Sequence, residues 1–150
     1  MSSHIYRVLD ANFNRAKEGL RVCEDLCRFV IDSKSLTQDF MSLRRQLTQS
    51  ITATGIPLAR IIRERDSFKD VGKSYSKHQP RRSNLLDLFL ANSGRAKESL
   101  RVLEECVKLL DSKQYNRLED LRYSLYQLEK RAVERLEPLC YSRRRLSGKA

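Results

Sequence analysis

The sequence predicts an all-α fold: a pseudo-twofold four-helix bundle made of two duplicated helical hairpins, with a long basic central connection. Three observations predict it. Apolar residues recur in four stripes at helical spacing. Two of those stripes lie in segments that copy each other. Five Gly and three Pro in 150 residues are too little punctuation for a many-turned β protein.

The first stripe is Leu9, Phe13, Ala16, Leu20, Cys23, Cys27 and Val30, and the second is Leu36, Phe40, Leu43, Leu47 and Ile51. Asp32 to Ser35 joins them, short enough to make an antiparallel hairpin. The third stripe is Phe89, Ser93, Ala96, Leu100, Leu103, Val107 and Leu110; the fourth is Leu118, Leu121, Leu125, Leu128, Ala132 and Leu136. Asp111 to Lys113 joins that pair. Gly55, Pro57, Gly72 and Pro80 mark the long connection between the hairpins. A connection of that length in a small domain is usually functional or disordered. One helical domain over residues 1–140 is expected, with repeat one at 5–54, a linker at 55–81, repeat two at 82–137 and a basic tail at 141–150.

The duplication is direct. Residues 11–24 and 91–104 are identical at ten of fourteen positions, and Asp25 and Glu105 extend the match in charge. Leu43-Arg44 and Leu47 then match Leu121-Arg122 and Leu125. This is an internal repeat of a two-helix unit.

A net charge of +11 suggests nucleic acid at first sight. Its distribution argues otherwise. Residues 1–54 carry eight basic and six acidic groups, and residues 86–140 carry ten of each. The excess lies in residues 55–85, with eight basic against three acidic groups, and in the last ten residues, with four basic groups. A recognition helix should carry the excess itself. No stretch of about 18 apolar residues exists to span a membrane, and no secretory leader is visible at Met1 to Leu9. Four Cys and two His at irregular positions do not form a zinc pattern. Cys23 and Cys27 read as buried free thiols, and the expected location is cytoplasmic.

On a helical wheel, Asn12 and Arg15 fall inside a wide apolar arc that Val8, Val22, Leu26 and Phe29 extend; Asn92 and Arg95 do the same in the second copy. Polar groups there need partners. They form either a buried Asn–Arg network that fixes register or a site for an anionic ligand. Lys17, Glu18, Arg21, Glu24, Asp25 and Arg28 fill the opposite arc and read as a solvated face of paired charges, although Glu18 and Arg21 repeat as Glu98 and Arg101. Arg44 and Arg122 sit at the edges of their stripes and either snorkel or add to a cationic site. In the linker, Arg65-Asp66-Ser67-Phe68-Lys69-Asp70-Val71-Gly72 sets two carboxylates near cations, a pattern suited to a metal–phosphate group. Neither a G-x-x-x-x-G-K-[ST] nor a G-x-G-x-x-G phosphate loop occurs, and the protein-kinase catalytic-loop signature is missing.

The run Arg7-Val8-Leu9-Asp10-Ala11-Asn12, then Arg15 to Val22 and Glu24-Asp25, resembles the opening of a small helical domain often fused ahead of thiamine-phosphate synthase in bacteria. Leu43-Arg44, Arg65-Asp66, Asp70-Val71-Gly72, Arg81-Arg82, Asn92, Arg95, Glu98, Leu100-Arg101, Glu104 and Leu121-Arg122-Tyr123 follow the same pattern, over nearly all of residues 5–137. That family is an alternative hydroxymethylpyrimidine monophosphate kinase. The resemblance implies thiamine biosynthesis, with transfer of the γ-phosphoryl group of ATP to hydroxymethylpyrimidine monophosphate. It also implies thiamine-phosphate synthase as a fusion or pathway partner.

For such a reaction, physical reasoning assigns roles by charge. Arg15, Arg95 and Arg65 are the expected catalytic cations. Asn12, Asn92, Arg44, Arg122, Arg82, Glu18 and Glu98 are the expected substrate-binding residues, and Asp66 and Asp70 the expected Mg²⁺ ligands. With no Trp, Phe13, Phe68 or Tyr126 would have to stack against the rings. The expected ligands are ATP, Mg²⁺ and a small phosphate substrate, and self-association is compatible with the pattern. Two other classes stay open: a non-catalytic oligomerisation or regulatory domain of a thiamine-phosphate synthase, and a basic nucleic-acid-binding helical module, for which steep salt dependence would be the signature.

Overall fold

The computed structural model describes residues 3–74, 80–110 and 112–141. Among these residues are five helices: α1 (Ser3–Phe29), α2 (Lys34–Thr52), α3 (Leu58–Arg63), α4 (Leu85–Val107) and α5 (Ser112–Tyr141). No strand occurs among the described residues. The four long helices are those the apolar stripes predict. The short α3 inside the linker is an addition, and α5 runs past residue 137, the expected end of repeat two, carrying Pro138 in its last turn.

Local signals place the helix starts. Ser33 caps α2, its hydroxyl accepting from the Leu36 N–H, and Asp32 before it takes the left-handed conformation at φ 55° that reverses the chain. Asn84 caps α4 by accepting from the Asp87 N–H at 2.8 Å. The Asp87 carboxylate reaches back to accept from the Ser83 N–H at 2.9 Å, so the start is bound from both sides.

The long helices form a closed ring in which α1 lies beside α2 and α4, and α5 beside α4 and α2. Cys23 Sγ lies 3.9 Å from the Phe89 carbonyl while Gly19 faces Asn92, so α1 and α4 run antiparallel. Their seam is built of small residues. Ala16 and Ala96 are fully buried, and Ser99, the copy of Gly19, is buried too. A Cβ on Gly19 would fall 2.7 Å from the Asn92 carbonyl oxygen, which is why this position carries none. At the centre Phe40 and Phe89 meet edge to face, with ring centroids 6.1 Å apart.

Because α1 is antiparallel to both α2 and α4, those two run parallel to each other. The connection from Thr52 to Leu85 must therefore travel the length of the bundle, about 40 Å for a helix as long as α1. A tight turn cannot do this, so the long linker is a topological requirement. It leaves along the N-terminal half of α1. Ile61 of α3 is buried there, and the Arg60 guanidinium lies 5.1 Å from the Tyr6 ring. The basic groups of the expected tail, Arg143, Arg144, Arg145 and Lys149, lie outside the described residues.

Two expectations about helix faces need correction. The apolar arc of α1 is narrower than the wheel suggests: Val8 and Phe29 are exposed, and Arg15 and Arg95 lie on the surface. Only two long helices flank α1, so its outer face stays in water except where the linker crosses it. Conversely, Glu24 belongs to the interior. It is 1% exposed and its copy Glu104 is 0% exposed.

Candidate functional site

The linker folds back on α1 through one ion pair. Arg65 donates through Nε to Asp10 Oδ2 at 2.6 Å and through Nη2 to Asp10 Oδ1 at 2.7 Å. This two-point grip is the strong arrangement for a guanidinium and a carboxylate. Asp10 is buried, and Asn14 one turn later donates to its Oδ1 at 3.2 Å. The hydrogen bond to Asp10 raises the Arg65 pKa further, so this cation stays charged at any working pH. Arg7 adds a bond to the Asp66 carbonyl at 3.4 Å.

Between α1 and this strap lies a cavity of about 620 Å³. Its walls include His4, Arg7, Asp10, Asn12, Arg15, Arg65, Asp66 and Asp70. It brings together five of the residues predicted from sequence: Asn12, Arg15, Arg65, Asp66 and Asp70. Asn12 itself is buried, and its amide donates to the Val8 carbonyl at 2.9 Å, leaving its side-chain oxygen as the group available to a ligand. Three guanidiniums face three carboxylates here, so their formal charges cancel.

The carboxylates of Asp66 and Asp70 are set by the backbone. Asp66 Oδ1 accepts from the Lys69 N–H at 3.1 Å and Asp70 Oδ1 from the Gly72 N–H at 2.9 Å. Among the described residues, that leaves one oxygen on each for a ligand. Among the described residues no group of three or more His, Cys, Asp or Glu could hold a metal ion. Two carboxylates lining one cavity suit Mg²⁺, which keeps waters and substrate phosphates in its shell and seldom uses an all-protein cage.

The other predicted residues lie elsewhere. Glu18 and Arg44 line a separate groove between α1 and α2. Arg44 grips the buried Glu24, through Nε to Oε2 at 2.9 Å and Nη2 to Oε1 at 3.4 Å, and Arg21 adds a bond at 3.3 Å. The second half repeats this: Arg122 grips Glu104 through Nε and Nη2, and Arg101 donates to it at 3.1 Å. The bond to Glu104 is the main cause of the raised pKa of both Arg122 and Arg101. Asn92 mirrors Asn12 by donating to the Leu88 carbonyl at 2.9 Å. Arg95 and Glu98 are exposed on α4, and neither lines the α1–linker cavity. Arg82 is exposed near the linker's end, donating to the Pro80 carbonyl. Of the proposed stacking rings, Phe13 is buried in the core, Tyr126 accepts from Arg122, and Phe68 stands 91% exposed on the linker turn.

Sequence reasoning missed Asp10, Glu24 and Glu104. The recurrence of Arg-x-x-Glu in both copies, each with an Arg on the next helix, is the signal that marks the two glutamates. Asp10 has no such signal, because its copy is Leu90.

Relatives share most of this chain. It is 38% identical over 130 residues to the thiamine-phosphate synthase of Nostoc sp. (strain PCC 7120), covering 83% of this chain and 34% of that protein. It is 38% identical over 143 residues to the thiamine-phosphate synthase of Thermosynechococcus vestitus, covering 95% of this chain and 38% of that protein. The chain thus spans little more than a third of the length of these relatives. No solved structure shows a significant match. Residues 7–131 match the model of the ThiD2 family, and the chain belongs to that family.

Proposed function

We propose that this protein acts in thiamine biosynthesis as a phosphotransferase, moving the γ-phosphoryl group of ATP to hydroxymethylpyrimidine monophosphate. One observation carries the reading: the cavity between α1 and the linker is lined by Arg7, Arg15 and Arg65 together with the carboxylates of Asp66 and Asp70. That combination suits a polyphosphate chain with its cation. Family membership and relatives named as thiamine-phosphate synthases support the metabolic context.

The acceptor is a phosphate monoester, whose second pKa is about 6, so its attacking oxygen is already largely ionised near neutral pH. No general base is needed. An acceptor oxygen attacks the γ-phosphorus, the bond to the β–γ bridging oxygen breaks, and ADP leaves. The barrier lies in bringing two polyanions together and neutralising the spreading charge. Arg15, on the cavity wall, would meet equatorial phosphate oxygens. Arg65, fixed by Asp10, presents its remaining donor without having to be ordered first. Asp66 and Asp70 would hold Mg²⁺, which supplies charge neutralisation on the phosphate oxygens when bound.

Incubation of the pure protein with MgATP and hydroxymethylpyrimidine monophosphate should yield the diphosphate and ADP in equal amounts. Absence of turnover in a folded sample refutes the reading. Arg15→Ala should lower kcat about 100-fold with the helical content unchanged.

A second reading is favoured by the fraction of its relatives that the chain covers: a helical domain that accompanies thiamine-phosphate synthase and regulates it. It predicts no turnover alone and a changed rate when mixed with the synthase.

A further inference from the structure

The duplicated halves carry the same Lys, Glu and Arg positions, yet the Lys and the second-helix Arg keep unengaged donors, among the described residues, in the first half alone. In the α1–α2 groove, a cavity of about 490 Å³ is lined by Asn14, Lys17, Glu18, Arg21, Val22 and Arg44. The buried Glu24 holds Arg44 by Nε and Nη2, and Nη1 has no partner among the described residues. The Lys17 ammonium lies 5.1 Å from the Phe13 ring and pairs with no carboxylate among the described residues. In the α4–α5 copy the same donors are engaged. Lys97 binds both oxygens of Glu129 at 2.8 and 2.7 Å. Arg122 Nη1 donates to the Tyr126 hydroxyl at 3.1 Å, and its guanidinium lies 5.2 and 5.8 Å from the Tyr123 and Tyr126 rings. The residues of the first half that correspond to those tyrosines are Arg45 and Thr48.

We propose that the α1–α2 groove binds the phosphomonoester acceptor, and that its α4–α5 copy has been converted into structure. The inference rests on the phosphotransferase reading and assigns its second substrate. Lys17, Arg21 and Arg44 meet the phosphate, and Glu18 accepts from a ring amino group. The groove adjoins the polyphosphate cavity along α1: Asn14 lines the groove while bonded to Asp10, which lines the cavity. Two phosphate-bearing ligands can therefore meet end to end on one helix.

The pseudo-symmetry supplies its own control. Arg21 and Arg101 are each 52% exposed, and each bonds the buried glutamate and the next acidic residue of its own helix. Arg21→Ala and Arg101→Ala should thus shift the unfolding midpoint alike. Isothermal titration without ATP, using hydroxymethylpyrimidine monophosphate and then inorganic phosphate, tests the difference. Arg21→Ala should weaken binding of both about tenfold or more, and Arg101→Ala less than twofold. Glu18→Gln should weaken the pyrimidine ligand but leave inorganic phosphate unchanged. Equal weakening by the two arginine variants overturns the assignment, as does failure of the wild-type protein to bind either probe saturably. Turnover with an unchanged KM in Arg21→Ala rejects the groove and keeps the kinase. Asymmetric binding without turnover keeps the groove and rejects the kinase.

Discussion

Glu24 and Glu104 occupy equivalent positions in the two repeats, and each is buried beneath a guanidinium from the following helix, Arg44 over the first and Arg122 over the second. The two ion pairs latch each hairpin shut. Removing one partner of a buried pair costs about 3–5 kcal/mol, because the other is left uncompensated. Partial exposure of the arginines lowers that figure. Glu104→Ala should therefore cost roughly 3 kcal/mol in urea denaturation, and Glu24→Ala less, since Arg44 reaches water more readily than Arg122. A loss under about 1 kcal/mol at Glu104 would show the latch to be dispensable.

The seam between α1 and α4 offers a paired test. Gly19→Ala pushes a methyl group against the Asn92 carbonyl, a backbone atom that cannot swing aside, and should destabilise by about 1–3 kcal/mol. Gly94→Ala meets nothing within 4 Å and lies inside α4, so it should stabilise by about 0.5–1 kcal/mol. Thermal melts of the two variants should move in opposite directions.

Burial pushes the Cys27 thiol up to about 12 and raises Cys23 further still. Below the ordinary thiol pKa near 9 both states are neutral and nothing is lost. Above it the unfolded chain releases protons that the folded chain keeps, so stability falls from about pH 9 upward, toward the folded pKa. Cys27→Ala should flatten the alkaline limb of the stability–pH curve. In the native state Cys140, the one half-exposed cysteine, should react first with a thiol reagent.

The Asp10–Arg65 pair fixes the linker against the cavity. Asp10→Ala should leave the four-helix core folded but lower turnover at least tenfold and speed proteolysis within residues 60–74. Arg65→Lys should lower turnover as well, because an ammonium cannot reproduce the two-point grip. Wild-type turnover in either variant would show that the strap has no part in the reaction.

The bundle was legible because its signals are periodic and duplicated. Helix α3 was not, since six residues hold too few turns to show a stripe. The burial of Glu24 was obscured by the presence of Arg28 four residues on, which makes it look like half of a surface pair. The site was half legible for a related reason. Repetition draws the eye to Asn12 and Asn92, Arg15 and Arg95, whereas the cavity breaks the symmetry. Asp10 has Leu90 as its counterpart, and the strap is a described part of the linker that lies on α1.

The parallel course of α2 and α4 also bears on how the chain reaches its fold. In an up-and-down bundle each helix packs on its sequence neighbour, and contacts form locally. Here the α1–α4 seam joins residues such as Cys23 and Phe89, 66 positions apart. That seam requires closure of a long loop before it contributes any stability. The two hairpins are therefore the early, local events and their docking the late one, which slows folding relative to a helical bundle of simpler connectivity.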